Sequence, residues 1–102
     1  MIDALRQLAQ AARIRITLHA RPEMDADLVL TDDLVLGLAA PTSDMIEDYP
    51  DDPRGHSHLV LAWLPDGKPI HVCCAIHEET LVVITVYRPD AARWYPDWRT
   101  RR

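Results

Sequence analysis

Four groups of residues in this chain have side chains that can do chemistry near neutral pH. The stretch KPIHVCCAIHEETLVVITVYRPD, residues 68–90, carries His71 near the start of one apolar run and Tyr87-Arg88 at the end of the next. An imidazole can take and return a proton at cellular pH, and a guanidinium matches the geometry of phosphate oxygens. A phenol can hydrogen-bond a phosphate or a ribose hydroxyl. Each also has a plainer reading: His71 as a core imidazole bonded to a carbonyl, Tyr87 as a half-buried sheet residue with a wet hydroxyl. His19-Ala20-Arg21 is either an anion site, where free N–H groups and Arg21 converge on a phosphate, or the unremarked start of a helix. His56 and His58 flank Ser57, and i, i+2 spacing on a strand puts both rings on one side, as a metal chelate needs. His77 is a third imidazole for such a site, but no matching Cys or carboxylate pattern accompanies them, and no metal is expected. Arg93, Trp94, Trp98, Arg99, Arg101 and Arg102 form a basic, aromatic tail. That tail suits contact with nucleic acid, guanidinium on phosphate and indole on a base, or docking of the indoles on the sheet. No P-loop, G-x-G-x-x-G, H-E-x-x-H, G-x-S-x-G or C-x-x-C occurs, so the common nucleotide-binding, zinc-protease and serine-hydrolase signatures are missing.

The elements that must position these groups are legible in outline. Apolar residues at 2, 5, 8, 9 and 12 predict an N-terminal helix, with Asp3 in its first turn. Residues 14–18 alternate and predict a short strand or extended link. HARPEMDAD predicts a short helix with Pro22 in its first turn. TDDLVLGLAA predicts another, capped by Thr31 or Asp32 and stopped at Pro41. Residues 45–49 read as a short extended piece before a Pro/Asp/Gly-rich loop. HLVLAWL, PIHVCCAI and LVVITVY follow with short connections, which predicts an antiparallel meander. Gly67 in PDGK supplies the positive φ of a tight turn. Pro89 ends the last strand, and Asp90 caps one helical turn before the tail. The expected architecture is α+β, with N-terminal helices on a C-terminal antiparallel meander of three to four strands, in a single domain over residues 1–102. If Ile76 pairs with Leu81, His71 faces Val86 and Tyr87 lies on the reverse face; a slip of one residue brings His71 and Tyr87 together.

Composition narrows the function classes. At 102 residues the chain holds one modest core. No apolar run approaches the ~20 residues that span a bilayer, and the N-terminus lacks the features of a signal peptide, so a cytoplasmic protein is expected. Cys73 and Cys74 are adjacent and too close at Cα to bridge one another, which fits reduced thiols. The net charge of −5 argues against an indiscriminate nucleic-acid binder. Its distribution is uneven. Residues 23–52 carry ten acids and no Lys or Arg, while residues 1–22 carry four Arg against one Asp and residues 88–102 five Arg against two Asp. The segregation is either ordinary solvated charge or a basic face for a polyanion opposite an acidic face for a basic partner.

The combination of ITLHAR, IEDYPDDPRGHSHLVLAWLPDGKPIHVCCAI, LVVITVYRPDAARW and a terminal Arg-Arg resembles the domain-of-unknown-function 4258 family, from about residue 14 to the end. The family pattern falls on His19, Arg21, Glu47, Tyr49, Pro50, His71, Tyr87, Pro89 and Trp94. The resemblance implies a RelE/ParE-like fold and the toxin of a toxin–antitoxin pair, whose partner is a small antitoxin with a zinc finger. It implies cleavage of messenger RNA, on the ribosome or free, without metal or other cofactor. In that reading His71 or His19 serves as base or acid, and Tyr87 positions the phosphate or acts as a weak acid. Arg21 and Arg88 stabilise phosphate charge, and Trp94 and Arg99 hold the RNA. The alternative is a non-catalytic interaction module whose acidic segment 44–52 meets a basic partner.

Overall fold

The computed structural model describes residues 2–102. Helix α1 (Ile2–Gln10) buries Leu5 and Ala9, with Ile2 and Leu8 packed partly against the same core, as their spacing requires. It ends where Ala12 takes a positive φ of 57° and the Arg13 N–H donates to the Leu8 carbonyl at 2.8 Å, a C-terminal cap that glycine more often makes. Strand β1 (Ile14–Ile16) follows. Helix α2 (Ala20–Ala26) starts under Thr17, whose hydroxyl accepts the Ala20 N–H at 3.1 Å; Pro22 sits in its first turn, where a missing N–H costs nothing. Helix α3 (Thr31–Ala39) starts from Leu30 rather than from a Thr31 or Asp32 cap. Asp32 and Asp33 instead sit in the first turn, where carboxylates favour the helix dipole. Gly37 lets α3 approach the sheet: a Cβ there would lie 2.9 Å from the Trp63 carbonyl oxygen.

Strands β2 (Asp44–Tyr49), β3 (Ser57–Trp63), β4 (Pro69–His77) and β5 (Thr80–Tyr87) form the expected antiparallel series. The sheet has five strands in the order β1-β5-β4-β3-β2, and β1 pairs with β5 in parallel. The fold is therefore α+β with a mixed sheet, larger by one strand than the meander predicted. The chain reaches the two edges of the sheet in succession, β1 and then β2, with α2 and α3 between them. The parallel neighbours β1 and β5 are joined only through all the intervening elements, since parallel strands cannot be linked by a tight turn. Gly67 turns β3 into β4 with φ 80°. Glu78 and Glu79 turn β4 into β5, both at positive φ (50° and 59°), a conformation that Asn-Gly adopts at far lower cost.

One face of the sheet packs under the helices. Val60, Ala62, Ile70, Val72, Cys74, Leu81, Val83 and Val86 meet Leu5, Ala9, Leu34 and Leu38 there, all of them buried. The second face carries Leu59, Leu61, His71, Cys73 and Tyr87 by strand parity. Residues 88–102 fold back over part of it. Asp90 caps a single turn, accepting the Ala92 N–H through its carboxylate at 2.9 Å and the Arg93 N–H through its carbonyl. The tail then closes on itself, with Tyr95 N–H to Thr100 carbonyl and Arg102 N–H to Arg93 carbonyl, both 2.9 Å. Trp94 is its apolar anchor, 2 % exposed. Among the described residues no helix is long and apolar enough to cross a membrane.

Candidate functional site

The register of β4 and β5 decides which groups meet. Ile76 pairs with Leu81, as assumed from the sequence, but the register shifts between Cys73 and Cys74. Cys74 faces Val83 and Cys73 faces Thr85, so Ile84 is an extra residue in β5. Beyond this bulge His71 faces Tyr87 instead of Val86. The two side chains share a face and touch: His71 Nδ1 lies 3.0 Å from Tyr87 Oη.

His71 is fully buried. Its Nε2 lies 2.8 Å from the Trp98 carbonyl oxygen, and the Trp94 ring meets it edge-on at 4.4 Å between centroids. A carbonyl only accepts, so Nε2 carries the proton. Burial holds the imidazole below its ordinary pKa, against the opposing pull of the Trp98 carbonyl and the Glu47 charge, so the ring is neutral. Its Nδ1 is then an acceptor, and the Tyr87 hydroxyl donates to it. Burial also raises the Tyr87 pKa.

The tail is clamped from the other side by β2. Arg101 makes two hydrogen bonds to Glu47, at 2.8 and 2.9 Å, and lies over the Trp94 ring at 4.6 Å. Arg101 holds the Glu47 carboxyl below its usual range. Tyr49 donates to the same carboxylate, and burial with that bond pushes its phenol up to about 12. Arg99 pairs with Asp44. The acidic β2 and the basic tail, separate surfaces by sequence position, thus largely neutralise one another.

Between β5 and the tail is a cleft of about 430 Å³ lined by Tyr87, Arg88, Asp90, Arg93, Trp94 and Arg101. Arg88 is fixed to the end of α2, its Nε donating to the Asp27 carbonyl at 2.9 Å and its backbone N–H to the Asp27 carboxylate at 3.1 Å. Its Nη1 is buried 4.0 Å from the Asp66 carboxylate, an ion pair too long for a hydrogen bond.

Four of the residues selected from the sequence, His71, Tyr87, Arg88 and Trp94, therefore gather at one corner. The others do not join them. His19 is 69 % exposed at the start of α2, 3.7 Å from Glu23, and no hydrogen bond or ion pair among the described residues links it to His71 or Tyr87. Arg21 lines a small hollow beside Met24, Val29 and Thr31. Arg99 is occupied by Asp44. Trp94 is sealed against His71 and offers no face for a base. His71 has no solvent contact of its own, and any proton reaching it passes through Tyr87. Arg93 was read only as part of the basic tail, and Glu47 was given no role from residue chemistry; the segregation of acidic and basic segments was the signal that pairs Glu47 with Arg101. Across the same face, an open groove of about 500 Å³ runs between Arg15, Arg54, His56, His77 and a floor of Ala75 and Val82.

A family model described as a domain of unknown function, DUF4258, matches residues 16–88, from β1 through Arg88, leaving α1 and the tail outside. No curated protein and no solved structure gives a significant match. With well over half of the chain covered, the protein belongs to the DUF4258 family.

Proposed function

We propose that this protein is an RNA-directed toxin that holds a phosphodiester in the cleft beside Tyr87 and cleaves it without a metal. The observation that carries this reading is the Tyr87 hydroxyl, set between a neutral imidazole acceptor and a cleft edged by Arg88, Arg93 and Arg101. Cleavage of RNA by its own 2′-hydroxyl needs a base for that proton and cations for the charge that builds on phosphorus. Tyr87 accepts the 2′-hydroxyl proton as it passes its own proton to His71 Nδ1. The 2′-oxygen bonds to phosphorus, the P–O5′ bond breaks, and solvent protonates the leaving 5′-oxygen. Glu47, whose charge favours protonated His71, offsets part of the cost of a buried imidazolium. The partners in this reading are messenger RNA, with or without the ribosome, and a small zinc-finger antitoxin; reduced Cys73 and Cys74 suit the cytoplasm.

The test is RNA cleavage by the purified chain, with and without ribosomes, alongside growth arrest on expression. Tyr87→Phe lowers cleavage by ~10²–10⁴-fold, the usual worth of one acid–base group. Arg93→Ala weakens RNA binding in a salt-dependent way. Cleavage unchanged by Tyr87→Phe, or absent from the wild type under all conditions, overturns the enzymatic reading. A second reading, a non-catalytic module that binds a protein, is favoured by Leu18, Leu28, Leu30 and Leu36. These side chains are 63–88 % exposed on and around α2 and α3. Binding of the neighbouring gene's product that is lost on Leu28→Ser/Leu36→Ser, without any RNase activity, selects it.

A further inference from the structure

On the opposite edge of the sheet, three ligating groups meet that the RNA reading does not use. Asp48 of β2 pairs across the sheet with His58 of β3, so their side chains leave the same face side by side. His56 precedes His58 by two residues and returns to the same side. Nε2 of His56 and Nδ1 of His58 lie 2.6 and 2.8 Å from one oxygen, Asp48 Oδ1. One ligand atom from each residue falls within 4.8 Å of the others. The two rings are 4.6 Å apart and tilted by 44°, neither stacked nor edge-on.

The second observation is the state of His58. Its side chain is 4 % exposed, and Nδ1 is buried with no hydrogen bond, because the nearby Asp48 oxygen lies off the geometry of one. A buried ring nitrogen that touches a shared carboxylate oxygen without a well-formed hydrogen bond is poorly satisfied, and a cation between the two groups satisfies both. We propose that Asp48, His56 and His58 bind a divalent transition metal of the zinc class, with at least one coordination position left to solvent. Two imidazoles and a carboxylate make a borderline donor set that suits zinc, cobalt or nickel and not magnesium, which prefers oxygen. Three protein ligands leave a position for water, as in sites that act on a ligand rather than only brace a fold. Metal–ligand bonds of about 2.0–2.1 Å at tetrahedral angles set the donors about 3.3 Å apart. Asp48 and His56, both about half exposed, are the side chains able to adjust to that spacing while His58 stays fixed.

The experiment titrates the untagged full chain with Zn²⁺, Co²⁺ and Mg²⁺ by calorimetry and visible absorption. One equivalent of Zn²⁺ binds, Co²⁺ gives ligand-field bands of a four- or five-coordinate N/O site, and Mg²⁺ gives no heat. His56→Ala and Asp48→Asn each weaken Zn²⁺ binding by more than about tenfold, since even outer-sphere partners of a metal are worth ~10–100-fold. His77→Ala, the exposed imidazole elsewhere, leaves it unchanged. Melting of each variant without metal confirms folding, and His58 is left intact because it is buried. No stoichiometric Zn²⁺ binding, binding that survives both His56→Ala and Asp48→Asn, or binding lost in His77→Ala overturns the proposal.

Discussion

Two corners of the sheet each bring imidazole and carboxylate together, and they are built in opposite ways. At His71 both ring nitrogens have partners, the ring is sealed by Trp94, and the Glu47–Arg101 pair closes the lid. At His56 and His58 one ring is half exposed, the other has a nitrogen without a hydrogen bond, and both crowd one oxygen of Asp48. A satisfied polar group in a dry site holds structure, whereas a buried nitrogen without a formed hydrogen bond, beside half-exposed groups, is open to a ligand. The comparison teaches that an imidazole's role is set by what occupies its two nitrogens and not by its place in a motif. His71, the most conspicuous histidine of the sequence, is fully buried and meets the cleft only through its contact with Tyr87. His58, with no role expected beyond a weak chelate, is the one whose Nδ1 lacks a formed hydrogen bond.

The contrast can be broken by stability measurements, and the largest effect belongs at the sealed corner. Trp94→Ala costs about 3–5 kcal/mol in urea unfolding, because it empties a buried indole site and strips His71 of its cover. A loss below about 1 kcal/mol shows that the tail is not part of the cooperative fold. His71→Ala costs about 2–4 kcal/mol, leaving both a cavity and unpaired groups on Tyr87 and Trp98, while His56→Ala in metal-free protein costs less than about 0.5 kcal/mol. Similar losses at the two positions erase the distinction. At a hundredfold excess of Zn²⁺ over its Kd, the wild type gains about 2.7 kcal/mol and His56→Ala much less, read as a shift in melting temperature.

The pH dependence sharpens the same comparison. A base whose pKa is depressed on folding binds fewer protons native than unfolded, so stability falls as pH drops through its unfolded value of 6.5 and levels off above it. Wild-type stability is therefore expected to decline between about pH 7 and pH 5, and His71→Gln to lose that part of the slope. An unchanged slope in the variant shows that His71 titrates freely. The smallest effect lies between β4 and β5. Glu78→Asn with Glu79→Gly relieves two left-handed glutamates and raises stability by about 1–2 kcal/mol, which a chemical melt resolves.

Much of the scaffold was visible in the sequence because local rules produce it. The spacing of Leu5 and Ala9 makes α1 amphipathic, Pro41 limits α3, and Gly67 makes the β3–β4 turn whatever surrounds it. β1 was visible only as a short alternation. Its parallel partner lies some sixty residues away, and nothing in three residues specifies which edge they join. The candidate sites were legible as residue types and not as assemblies. His71 and Tyr87 could be placed at one end of a hairpin, but their meeting depends on the extra residue Ile84, a bulge with no glycine to mark it. Asp48 carried no signal, because the histidines it meets, His56 and His58, come only after the loop that follows β2.

Sequence alone determined the α+β class, the helices, the order of the meander and membership in a family, because these follow from periodicity, turn chemistry and motif. Tertiary structure alone decided that His71 is sealed, that basic tail and acidic β2 cancel, that His19 stands apart, and that Asp48 joins His56 and His58. The physical reason is range. Periodicity and turns act over a few residues, whereas burial, ion pairing and ligand convergence depend on strand register and on a tail folding back over the sheet.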